Sequence, residues 1–94
     1  MRIPPARAAQ LTDRLLESLP PPPARILEVA FAGIHAVPLR LAGYTVEVLD
    51  DDPRAVERAG AVVAAPTGRY DVVVAPAGAE LPAVEAGAVI RLGP

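Results

Sequence analysis

The segment Ile26–Ala59 constrains this chain more than any other. It reads as an apolar strand (ILEVA), a short loop (FAG), a helix (IHAVPLRLAG), a second strand (YTVEVLD), an acidic turn and a further helix (DDPRAVERA). Strands that alternate with helices imply a parallel, doubly wound sheet, because each helix carries the chain back across the sheet before the next strand begins. Right-handed crossovers follow from the same chirality that twists the strands. The first strand, Arg25–Ala30, is apolar on both faces except at Glu28, which is the pattern of a strand covered on both sides.

The rest of the chain extends this pattern. Pro4 and Pro5 fit the first turn of a helix running to about Leu19, with Ala8, Leu11, Leu15, Leu16 and Leu19 on one stripe. Pro20–Pro23 then stop the helix and form a stiff linker. The helix after the first strand spans about Ile34–Ala42, with Gly43 as its C-terminal stop. Thr45–Leu49 is the second strand, ending at Asp50. Asp52 before Pro53 reads as an N-cap followed by proline at the first helical position, so a helix covers about Pro53–Ala59. Ala61–Ala65 reads as a short third strand and Tyr70–Ala75 as a fourth, buried on both faces by its DVVVA pattern. A short helix interrupted by Pro82 is predicted over Ala79–Ala86, and a last strand over Ala88–Leu92.

With 94 residues the chain forms a single domain: a helix over 1–19, a proline linker over 20–23 and an α/β core over 24–94. A domain this small hides only a little over roughly 60% of the surface its unfolded chain exposes. The single Phe, two Tyr and absent Trp leave the core to Val, Leu, Ile and Ala. All nine basic residues are Arg, and the net charge of −2 has no basic run, which argues against a nucleic-acid partner. Without cysteine there is no disulfide framework and no thiolate nucleophile or ligand, and no metal-ligand spacing is present. No apolar run is long enough to span a bilayer, and Met1–Gln10 lacks the apolar core of a signal peptide, so a cytoplasmic location is expected.

A strand, a loop, a helix and a second strand ending in an acid is also the start of a nucleotide-cofactor site. There the loop cradles the ligand and the acid holds its ribose. The blocks ILEVAFAG, LRLAGYTVEVLD, DPRAVERA, RYDVVVAP and GAVIRL, in that order over Arg25–Leu92, resemble the N-terminal part of a class I S-adenosylmethionine-dependent methyltransferase. A second similarity is to a short uncharacterised archaeal family on the same kind of truncated fold. The methyltransferase resemblance implies a three-layer, Rossmann-like, mostly parallel sheet of about five strands in the order 3-2-1-4-5, with S-adenosylmethionine as the cofactor.

Carried over residue by residue, the resemblance implies six cofactor-binding positions: Glu28, Ala30, Ala32, Gly33, Asp50 and Asp51. Asp50 matches the family's acid at the end of the second strand, whose paired acceptors suit two ribose hydroxyls; an Asp that merely opens a turn is the plain alternative. Asp51 supports it, and Asp52 serves as the cap. Glu28 matches the acid placed near the methionine end of the cofactor, with an Arg partner as the structural alternative. Ala30 and Ala32 stand where the family has glycines, which permit positive φ and close backbone approach. No catalytic residue is assigned. His35, the only histidine, reads either as a neutral base near the crevice, its charged form disfavoured by the helix dipole, or as a partly exposed first-turn residue.

A dinucleotide-binding reading uses the same Asp50, but its three glycine positions hold Ala30, Ala32 and His35. Two function classes follow: a small domain holding S-adenosylmethionine or its demethylated product with weak or no catalysis, and a non-enzymatic adaptor that kept the fold and lost the site. Full methyltransferases continue into two more strands. Here one face of the sheet is expected to be poorly covered, having only Ala79–Ala86 on it, so a homodimer that buries this face or the edge strand is expected.

Overall fold

The computed structural model describes residues 13–31, 35–50, 52, 54, 57 and 68–92. Helix α1 covers residues 13–18. It is followed by β1 (Arg25–Val29), α2 (Ala36–Leu41), β2 (Thr45–Leu49), β3 (Arg69–Pro76) and β4 (Glu85–Leu92). The four strands form one sheet in the order β2-β1-β3-β4, and every pairing is parallel. The expected strand Ala61–Ala65 and most of the expected helix Pro53–Ala59 lie outside the described residues, as do Ala8 and Leu11 of the N-terminal stripe. Among the described residues no helix is long and apolar enough to cross a membrane.

Local chemistry accounts for the boundaries. Helix α2 ends where Gly43 takes φ +101°; its N–H donates to the Arg40 carbonyl, and that of Tyr44 donates to the Leu39 carbonyl. This reciprocal pair satisfies the last carbonyls of the helix and turns the chain into β2. In the same core cluster as Leu39 and Tyr44, Leu15 of α1 is buried, with Leu16 and Leu19 packed against that cluster. The Tyr44 hydroxyl donates to the Pro20 carbonyl, tying the proline linker to the end of α2.

Two core clusters lie on opposite faces of the sheet. One face carries Ile26, Val46, Val48, Val72 and Val74 under Leu15 of α1 and Ala36 and Leu39 of α2. The other carries Leu27, Val29, Tyr70, Val73 and Ala75, with Ala79, Leu81 and Val84 packed on it. The expectation of a poorly covered face is therefore corrected for the central strands, since Leu27, Val73 and Ala75 are buried to 1% exposure or less, in line with Ile26 and Val74. The segment between β3 and β4 packs Ala79, Leu81 and Val84 on that face without forming a helix. Burial of β1 and β3 does not by itself demand a second copy of the chain.

That segment also corrects the predicted helix over Ala79–Ala86. Residues 79–84 have no helical structure, and Glu85 and Ala86 instead pair with Arg69 and Tyr70, so the last strand starts three residues earlier than expected. Pro82 denies the helix an N–H in mid-segment, and strand pairing competes for its last two residues. Side-chain bonds hold the connector in place of a helix. Arg91 Nη1 donates to the carbonyls of Pro76 (3.1 Å) and Ala79 (2.7 Å), and the Ala77 N–H donates to the Leu92 carbonyl.

Arg25 performs the same service at the amino-terminal ends of the strands. Its N–H donates to Asp71 Oδ2 (2.8 Å), Nη1 donates to the Arg69 carbonyl (3.0 Å), and Nη2 pairs with Glu47 Oε2 (2.8 Å). The guanidinium lies 4.2 Å from the centre of the Tyr70 ring. Both partners of the ion pair are partly solvated, so its charge adds under roughly 1 kcal/mol. Its main effect is geometric, joining β1 to both of its neighbours.

Candidate functional site

The chain leaves β1 to form β2 on one side and later returns to form β3 on the other. In open parallel sheets the loops at the carboxyl ends of two such strands diverge and leave a crevice between them. A cleft of about 420 Å³ is found there, lined by Val29 and Ala30 at the end of β1, Leu49 and Asp50 at the end of β2, and Ala79 and Glu80 beyond β3. Its volume falls in the range of small-ligand sites, roughly 300–1,000 Å³.

Ala30 ends β1 in a left-handed conformation, φ +61°, the one non-glycine described residue with positive φ. Its N–H still donates to the Leu49 carbonyl at 3.1 Å, so the chain turns sharply without losing the contact between β1 and β2. The first strand accordingly stops at Val29, one residue short of expectation. A Cβ in this conformation costs roughly 1–2 kcal/mol, which is the physical content of the glycine that the resemblance places here. Replacing Ala30 by Gly relieves that strain but frees the unfolded chain by roughly 0.5–1 kcal/mol. A net stabilisation of about 0.5–1 kcal/mol is expected in urea denaturation, and a destabilised Ala30→Gly protein would contradict it.

Asp50 reaches the cleft from β2. Its Oδ1 accepts the Asp52 N–H at 2.9 Å, and Asp52 Oδ1 in turn accepts the N–H of Arg54 at 2.9 Å. The second of these is the bond of an N-cap, made to the N–H two residues on, and Arg54 is helical. Asp50 and Asp52 are thus both directed at backbone donors. Among the described residues no group of three or more His, Cys, Asp and Glu is placed to hold a metal ion.

Ala32, Gly33 and Asp51 lie outside the described residues. Glu28 sits in the middle of β1, level with Val48 of β2 and Val74 of β3, and is wholly buried. Strand alternation puts it with Ile26 on the α1–α2 face, so it is not among the residues lining the cleft. His35 is the N-cap of α2 and is also wholly buried, correcting the reading of a partly exposed first-turn residue. Its ring meets Phe31 edge-on, with centroids 5.1 Å apart and planes at 76°. Burial pushes its pKa down to about 4. Removal from water is what disfavours the charged ring, and the ring is part of the core rather than of the cleft.

Glu80 and Ala79 line the cleft and are absent from the sequence-based candidates. A helix over Ala79–Ala86 offered no reason to direct Glu80 toward the sheet switch point. The signal that was available was Pro82, which disfavours that helix.

Fold and cleft together define the chain as a small α/β domain on an all-parallel sheet, with a crevice where the strand order diverges. Compared with protein-family models, curated proteins and solved structures, it has no match.

Proposed function

We propose that the cleft binds an adenosine-type ligand in the manner of a degenerate S-adenosylmethionine-binding domain, holding S-adenosylmethionine or S-adenosylhomocysteine with weak or no catalysis. The observation that carries this reading is the meeting of Asp50 and Ala30 in one cleft at the switch point. These two positions were singled out because the resemblance assigns them to the ribose and to the tight turn, and strands β1 and β2 bring them side by side. A carboxylate at the end of β2 offers two acceptors for the hydroxyls of a ribose. Val29, Leu49, Ala30 and Ala79 supply the apolar walls that a ring system needs. The proposed activity is binding, with weak or no turnover.

The test is a stability titration with S-adenosylhomocysteine. Ligand at about 100 times its Kd is expected to stabilise the fold by roughly 2.7 kcal/mol. Asp50→Ala is expected to abolish that gain while leaving the unliganded protein folded. If the gain persists in the variant, the ligand sits elsewhere. If neither S-adenosylhomocysteine nor S-adenosylmethionine stabilises the wild type, the reading fails and the non-enzymatic adaptor stands; stabilisation by NAD alone would favour the dinucleotide reading.

A further inference from the structure

We infer that Glu80 makes the cleft selective against ligands phosphorylated at the ribose 5′ position; this rests on the adenosine-type ligand proposed above and adds the chemical class of what the ribose carries. The cleft's two charged side chains, among the described residues lining it, are both carboxylates. Asp50 stands at the end of β2, and Glu80 stands across β1 on the connector that leaves β3. A ligand held by its ribose at Asp50 and lying over Ala30 therefore meets negative charge on both sides.

Sites that accept nucleotide phosphates supply the opposite: basic side chains, or the backbone N–H groups at a helix N-terminus. None of the six described residues that line it is basic. Arg91 approaches the connector, but its Nη1 is bonded to the Pro76 and Ala79 carbonyls, which are neutral acceptors of the protein itself. Those two bonds hold the segment just before Glu80, so this carboxylate is carried by a braced connector. Across a cleft of about 420 Å³ a 5′-phosphate stays within a Debye length, roughly 8 Å at physiological salt, of at least one carboxylate. The cleft thus takes an unphosphorylated nucleoside and disfavours nucleoside phosphates and dinucleotides.

Adenosine and 5′-AMP are the probes, titrated calorimetrically into the full chain at low salt. The wild type is expected to bind adenosine about tenfold more tightly than 5′-AMP. In Glu80→Gln that ratio is expected to fall toward unity through better binding of 5′-AMP. Glu80 is exposed, so the variant keeps its fold, and an unchanged melting temperature checks this. In 1 M salt, where the Debye length is about 3 Å, the wild-type ratio is expected to shrink in the same way. Equal or tighter binding of 5′-AMP to the wild type overturns the inference, as does a ratio that Glu80→Gln leaves unchanged. Failure of both probes to bind the wild type overturns instead the adenosine-site reading on which the inference rests.

Discussion

Acidifying the protein from pH 7 to pH 4 is expected to remove about 3 kcal/mol of stability through His35 alone. The ring is wholly buried against Phe31, and its pKa falls from 6.5 to about 4 because burial penalises the charged form. In the unfolded chain the same ring is hydrated and takes up a proton below about pH 6.5. Between those two values the unfolded state binds more protons than the folded state, so stability rises with pH across the window. The contribution is fully present above pH 6.5, declines as the pH drops toward 4, and is gone below it. A drop of 2.5 pH units at 1.36 kcal/mol each sets the magnitude. Small domains have roughly 5–15 kcal/mol in all, so the loss is a large share of the total.

Other carboxylates titrate in the same range, so the informative quantity is a difference between two proteins. His35→Gln removes the titrating group while keeping a polar side chain at the start of α2. Urea denaturation at pH 7, 6, 5 and 4 is expected to show the wild-type advantage over the variant shrinking by about 3 kcal/mol. An advantage that is independent of pH would mean that the folded protein binds the proton as readily as the unfolded chain.

The second large effect is expected from Gly87→Ala, at a position that the sequence reading leaves between the expected helix Ala79–Ala86 and the last strand. A Cβ at Gly87 would stand 2.9 Å from the Asp71 carbonyl oxygen and 3.0 Å from Arg69 Nη2. The arginine can swing away, whereas the carbonyl belongs to the backbone of a central strand. The two strands are kinked together here. Tyr70 and Val72 are two residues apart and should share a face, yet they belong to clusters on opposite faces. Ala86 and Ile90 behave in the same way on β4. Asp71 and Gly87 lie between these pairs, and the continuous register of β3 with β4 skips them.

The kink lets Asp71 turn its carboxylate to the Arg25 N–H while Tyr70 fits beneath the Arg25 guanidinium. Overpacking of a rigid site costs roughly 1–3 kcal/mol, partly offset by roughly 0.5–1 kcal/mol from a less flexible unfolded chain. A net loss of about 1–2 kcal/mol is expected for Gly87→Ala in chemical denaturation. A neutral substitution would show that β4 can slide outward at that point without cost, and that the register with β3 is soft there.

Much of the architecture was legible because its signals are local. The boundaries of β2 match expectation, since a Gly-Tyr stop and a terminal Asp bracket an alternating run. The Asp52 cap and the Gly43 stop were readable for a similar reason: each satisfies backbone groups within a few residues of itself. The candidate site was readable only in part. Asp50 and Ala30 end adjacent strands, and parallel pairing brings strand ends together whatever else the fold does. Glu28 could not be assigned from sequence, because which face it points to depends on the pairing of β1 with both neighbours. Glu80 was missed because its position follows from a connector held by Arg91, twelve residues beyond Ala79 in the chain.

The sequence by itself determined an α/β domain with parallel strands, through apolar strand runs, capped helices and an acid at the end of the second strand. Those features follow from backbone hydrogen bonding and residue periodicity, which act over short distances along the chain. Tertiary structure alone decided that the segment after β3 covers the second face without a helix, that His35 is a core residue held neutral by burial, and that Glu80 stands opposite Asp50. Each of these depends on contacts between residues distant in sequence, where exclusion of water and competition for backbone partners override local preference.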